Sequence, residues 1–160
     1  MTHAQARIIR ALGIRALNIR ALTSLALVGV GTVLAHSNLN ASSIKDGETV
    51  RIMPKTITLE FSEAVETGFS RFKLIGLEPK INNLKAANST AGTMLEATLD
   101  SRDDQKMRAD DGLQNAPAVA AKLEVKLKAK LPAGWYVMMW KVLSIDSHVG
   151  SDYFVFEYRP

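Results

Sequence analysis

Two stretches of the chain alternate strictly between apolar and polar residues. In Thr56-Ile-Thr-Leu-Glu-Phe61, the residues Ile57, Leu59 and Phe61 share one face, and Thr58 and Glu60 the other. In Lys122-Leu-Glu-Val-Lys-Leu-Lys128, Leu123, Val125 and Leu127 alternate with charges. A period of two predicts half-buried strands. Further strands are expected at about 49–53, 69–76, 93–99, 135–145 and 152–158. Turn signals separate them at Lys45-Asp-Gly47, Met53-Pro54 and Leu131-Pro-Ala-Gly134. About seven short strands with this punctuation predict an all-β fold, an antiparallel sandwich or Greek-key barrel. The segment from Asp100 to Ala118 breaks the alternation with the charged run Arg102-Asp-Asp-Gln-Lys-Met-Arg-Ala-Asp-Asp-Gly112. It predicts a long, exposed, mobile loop, either a tolerated insertion or a docking element.

The first 35 residues follow a different pattern. Arg7, Arg10, Arg15 and Arg20 precede a 15-residue apolar stretch, Ala21 to Ala35, which closes on Val33-Leu34-Ala35. A basic start, an apolar block and a small-residue end predict a cleaved signal peptide over 1–35, leaving a domain over 36–160. The block is shorter than the roughly 20 residues that span a bilayer, which disfavours an uncleaved anchor. Its continuity disfavours a mitochondrial presequence, and with no twin-Arg pair the expected route is general secretion.

Charge changes meaning once the leader is set apart. The chain of 160 residues carries 20 Lys and Arg against 16 Asp and Glu, a formal net charge of +4. The four leader arginines account for that excess, so the remainder is formally neutral and nothing argues for nucleic-acid binding. There is no cysteine, which excludes disulfides and thiolate metal sites. Gly-rich phosphate loops, HExxH and GxSxG motifs are absent as well.

Histidine is scarce and its placement is informative: the chain has only His3, His36 and His148. His3 would leave with the leader, and cleavage after Ala35 would make His36 the first residue. An N-terminal histidine can chelate a metal through its α-amine and imidazole together. The amine, with an ordinary pKa of about 7.7–8.0, then yields its proton to the metal. Processing would create this site, because before cleavage the nitrogen is an amide. The plain alternative is a cut that happens to fall before a histidine. Asp146 and His148, in Ser144-Ile-Asp-Ser-His148, stand two apart at the end of a predicted strand. An extended backbone would point both to one side; alternatively Asp146 caps a turn and His148 is an ordinary surface residue. Together the donors are an amine, two imidazoles and a carboxylate, a nitrogen and oxygen set suited to tetragonal Cu(II), though Zn(II) and Ni(II) could use it too. Glu63, at a strand end, is a candidate to orient the terminal amine or else a solvated charge, and Glu66 is a weaker candidate for the same role. Met53, Met94, Met107, Met138 and Met139 are scattered and read as packing residues, as do Trp135, Tyr136, Trp140, Phe154 and Phe156.

Three stretches, in order, resemble the CopC copper-resistance family. They are Ala35-His36-Ser37 with Ser42-Ser-Ile-Lys-Asp-Gly-Glu48, then Pro54 to Glu66, then Leu131-Pro-Ala-Gly-Trp-Tyr-Val-Met-Met-Trp-Lys-Val-Leu-Ser-Ile-Asp-Ser-His148. The last is the most specific, because Pro-x-Gly, the Tyr, the Trp and Asp-x-His keep the family's spacing. The resemblance implies a Greek-key β-sandwich, cupredoxin- or immunoglobulin-like. It also implies a periplasmic location, Cu(II) on His36, Asp146 and His148, and a supporting carboxylate on Glu63. It suggests a CopD-type inner-membrane copper transporter as partner. The chain departs from the family in several ways, one of them a charged 100–118 loop that is longer than usual. The 82–97 region has only Met94 where some members have a Met-rich loop, Val149 follows His148 where many have Pro, and Ser43-Ile44 replaces the usual Thr-Pro. One Cu(II) per chain and no strong Cu(I) site are therefore expected, on a chain expected to be monomeric.

The leading functional reading is a copper carrier or chaperone in resistance or homeostasis, with no catalytic acid or base. A copper monooxygenase using an N-terminal histidine brace is the runner-up, disfavoured by the extra carboxylate ligand and by the lack of an aromatic substrate platform. A metal-free interaction sandwich is the third.

Overall fold

The structure, a computed structural model, describes residues 39–160. The expected leader and His36 lie outside the described residues. The described chain forms β1 (Leu39–Ser42), β2 (Thr49–Val50), β3 (Thr56–Glu66), β4 (Arg71–Gly76), α1 (Leu84–Thr98), β5 (Asp110–Leu113), β6 (Val119–Leu127), β7 (Gly134–Leu143) and β8 (Val149–Tyr158). Two four-stranded sheets result, ordered β1-β3-β6-β5 and β2-β8-β7-β4. The predicted all-β sandwich is correct, with eight strands rather than about seven. One pairing departs from the antiparallel expectation, because β2 runs parallel to β8.

The alternating stretches do what their period demands. Ile57, Leu59 and Phe61 of β3 and Leu123, Val125 and Leu127 of β6 all face the space between the sheets. From the opposite sheet Phe72, Leu74, Tyr136, Met138, Trp140 and Phe156 meet them. Phe61 sits edge-on to both Phe72 and Trp140, with ring centres 6.1 and 6.0 Å away. Tyr136 buries its ring and donates its hydroxyl proton to the carbonyl of Pro132, four residues back. This is the local device by which a tyrosine pins the corner of a β-sandwich. Burial pushes its pKa up to about 12.

Three sequence expectations are corrected. The 93–99 segment is not a strand but the second half of α1. Asn83 caps the helix by accepting a hydrogen bond from the Ala86 amide at 2.9 Å. Ala87 and Ala91, one turn apart, are completely buried against the outer face of the β4-β7-β8 sheet, beside Ile75, Val137 and Met139. That sheet is covered on both sides, which is why Trp135 to Trp140 is buried at every position. Met138 and Met139 therefore fill two different cores, one on each face.

The predicted strand at 49–53 is only two residues long, and β1 was not anticipated. The expected mobile loop at 100–118 is tied down. Lys73 of β4, 2% exposed, turns its ammonium under it and donates to the carbonyls of Thr98 and Ser101, each at 2.7 Å, and to the buried carboxylate of Asp104. Asp110, also buried, accepts from the amide of Leu74 at 2.7 Å and pairs with Arg108 before β5 joins β6. The charges in this segment had suggested solvent, but two of its carboxylates are buried and paired.

Candidate metal centre

β7 and β8 form a hairpin whose last paired residues are Leu143 and Val149. The link, Ser144 to His148, holds both described candidate ligands. The Ser144 amide donates to the His148 carbonyl at 2.9 Å, and the Ser147 amide to the Ser144 carbonyl at 2.9 Å. Ser147 closes the turn in the left-handed region, at φ 70°. Asp146 and His148 thus meet across a tight turn and not along an extended strand, which corrects the geometry expected from their spacing.

They nevertheless converge. His148 Nδ1 lies 2.7 Å from Asp146 Oδ2. The His148 backbone amide donates to Asp146 Oδ1 at 3.3 Å. Ser144, which is completely buried, brings its hydroxyl to Asp146 Oδ1 and to the His148 carbonyl. The Ser144 hydroxyl bond, the largest cause, holds the Asp146 carboxyl below its ordinary pKa; burial, the next largest, opposes it, and the His148 ring and amide each add a smaller lowering. The carboxylate is therefore charged, while the imidazole stands half in solvent at 53% exposure.

The end of β3 braces this turn. Past an irregularity between Glu60 and Val65, Val65 bridges Ser144, and the Ile145 amide donates to the Ala64 carbonyl at 3.2 Å. Glu63 stands between Phe61 and Val65, both buried. Its Oε2 is buried and has no hydrogen-bond partner among the described residues. An ionisable oxygen removed from water and left unpaired is costly and calls for a donor. Glu66 instead belongs to the β3–β4 turn, where its carbonyl accepts from Phe69 and from the Ser70 hydroxyl.

No group of three or more metal-binding side chains occurs among the described residues. The described part of the candidate centre is two donors, Asp146 and His148, with Glu63 on the strand that braces their turn. Sequence reasoning missed Ser144 as the residue that fixes Asp146; a hydroxyl two positions before a carboxylate, next to a turn, was the available signal.

The family model of the CopC domain matches residues 39–159. Protein YobA of Escherichia coli (strain K12) is 30% identical over 128 residues, covering 80% of this chain and 82% of that protein. Among solved structures, CopC from Methylosinus trichosporium OB3b superposes with a TM-score of 0.54 at 20% identity, over 78% of this chain and 95% of that one. PcoC, a methionine-rich copper resistance protein from Escherichia coli, gives 0.52 at 23% identity, over 78% and 100%. At these identities the two structures speak for the fold.

Proposed function

The chain belongs to the CopC domain family, and from that premise we propose that it is an exported Cu(II)-binding protein, a carrier in copper resistance or homeostasis rather than an enzyme. Residues 1–35 are its signal peptide, the mature domain spans 36–160, and its compartment is the periplasm. His36, through its new α-amine and its imidazole, joins Asp146 and His148 around one Cu(II). Glu63 accepts a hydrogen bond from the terminal amine and orients it, and a CopD-type membrane transporter is the natural exchange partner.

The observation that carries this reading is the spacing of Asp146 Oδ2 and His148 Nδ1, 2.7 Å. Two donors at right angles on one ion, each about 2 Å from it, stand about 2.8 Å apart. The hydrogen-bonded pair already has the separation of neighbouring ligands, so an ion can replace the shared proton once the imidazole and carboxylate turn their lone pairs off the line between them. Chain reach supports the third ligand. Leu39 pairs with Phe61, two residues before Glu63, and His36 precedes Leu39 by three residues, a span of at most roughly 10 Å. The orphaned Glu63 oxygen supplies a reason for an ammonium or amine to settle there. Softer chemistry has less to draw on, because Met138 and Met139 are completely buried and Met94, on α1, packs against the sheet beneath the helix.

The test combines mass spectrometry of the exported protein with Cu(II) titration followed by electron paramagnetic resonance. A chain beginning at His36 and one tetragonal nitrogen and oxygen Cu(II) per molecule are expected. One residue added before His36 should weaken binding by orders of magnitude with the fold intact, and Glu63→Gln should do less. Undiminished affinity in the extended protein would remove the amine from the site.

A further inference from the structure

At the other end of the hairpin from Ser144–His148 the surface changes character. Gly134 pairs with Tyr158 there, and ten residues of strand separate that end from the turn by about 30 Å. Between the segment 51–55 and the segment 126–131 lies an open cleft of about 600 Å³. Five cations line it, Arg51, Lys55, Lys126, Lys128 and Lys130, and no carboxylate does. These are five of the sixteen Lys and Arg in a 36–160 segment that is formally neutral. Lys128 donates to the carbonyls of Gln105 and Arg108, and Arg51 to that of Arg159, so their charges are oriented but not cancelled. Among the described residues, Lys126 alone of the five forms an ion pair, with Asp111 at 3.8 Å.

One apolar residue does not pack into this end. Ile52, flanked by Arg51 and followed by Lys55, is 86% exposed, the highest value among the exposed large apolar residues described. Apolar residues, among them Met53, Leu127 and Leu131, form part of the cleft wall. Here an aliphatic side chain projects outward from a cationic rim. That arrangement suits a surface the side chain can enter while the ammonium groups stay among phosphates.

We propose that this pole docks on an anionic phospholipid surface, with Arg51, Lys55 and Lys130 at the headgroups and Ile52 among the upper acyl carbons. The inference is independent of the metal site and is tested without copper. Protein purified from the exported fraction is sedimented with vesicles of phosphatidylglycerol and phosphatidylcholine, and separately with pure phosphatidylcholine. Binding to the anionic vesicles that falls steeply with salt is expected, with little binding to the neutral ones. At about fivefold per cation, Lys55→Gln with Lys130→Gln should weaken binding about twenty-fivefold. Ile52→Ser should weaken it severalfold while leaving the salt dependence unchanged. All variants share one N-terminus, so its contribution cancels, and circular dichroism confirms that each is folded. Equal binding to both vesicle types, or unchanged binding in the double variant, would overturn the proposal. So would an acidic peptide competing at the same concentration as lipid phosphate, because the ligand would then be any polyanion.

Discussion

Ser144 has no metal-binding atom of consequence, yet the Asp146 carboxylate depends on it. Its buried hydroxyl is the largest cause of the lowered Asp146 pKa and ties Oδ1 to the turn, leaving Oδ2 for His148. A partner of this kind fixes the direction in which a ligand points. If the proposed centre is correct, Ser144→Ala should weaken Cu(II) binding about tenfold, measured by competition with a chelator of known affinity, with thermal stability changed little. Unaltered affinity would make Ser144 a turn residue only. At this scale the sequence was legible where chemistry is written into residue type. Two histidines lie outside the expected leader, one beside a carboxylate, and both residues of Asp146-x-His148 do converge. The manner of convergence was not legible, because a φ of 70° at Ser147 is set by the hairpin's closure and not by anything a serine advertises.

Among the elements, α1 and the segment after it show what alternation alone conceals. Thr93-Met-Leu-Glu-Ala-Thr-Leu99 reads locally as a strand, although Ala87, Ala91 and Leu95, spaced by four, belong to one helical face. Continuous apolarity in β7 was the complementary hint, since a sheet covered on one face only does not need six buried residues in a row. The charged run at 100–118 misled because charge was equated with exposure. Lys73 and Asp104 are 2% and 3% exposed, and Asp104 Oδ1 has no partner among the described residues. The ion pair thus anchors the exit of α1, and removing one partner leaves the other stranded. Lys73→Met should cost about 3–5 kcal/mol in urea unfolding, and adding Asp104→Leu should recover most of it. A loss below about 1 kcal/mol in the single variant would mean that the segment lifts off and rehydrates Asp104.

At the scale of the whole domain, the sandwich separates two kinds of surface. One end gathers Glu63, Asp146 and His148 around a turn held by β3. The other carries the cationic cleft and Ile52. Two packed sheets make this polarity possible, since their strands run from one end to the other and each loop cluster is free to take its own chemistry. A domain seated by the cationic end would turn its carboxylate and imidazole away from the lipid and toward the open compartment. The formally neutral sum over 36–160 carries no hint of this division, because a sum carries no positions.

The parallel pairing of β2 with β8 also has a mechanical consequence. Gly47, Glu48 and Val50 are bonded to Val155, Glu157 and Arg159 in step, at 2.7, 2.8 and 3.0 Å, and Asp46 accepts from the Val155 amide at 3.0 Å. Tension that reaches the start of β2 and the end of β8 from opposite directions loads these four bonds simultaneously, in shear. An antiparallel pair pulled at one end would instead release its bonds singly, as a zipper does. Stretched between its ends in a force spectrometer, the domain should resist until this short clamp fails and then give way in one step. Breaking the clamp with Gly47→Pro, which removes the first donor, should lower that rupture force, and an unchanged force would place the mechanical lock elsewhere.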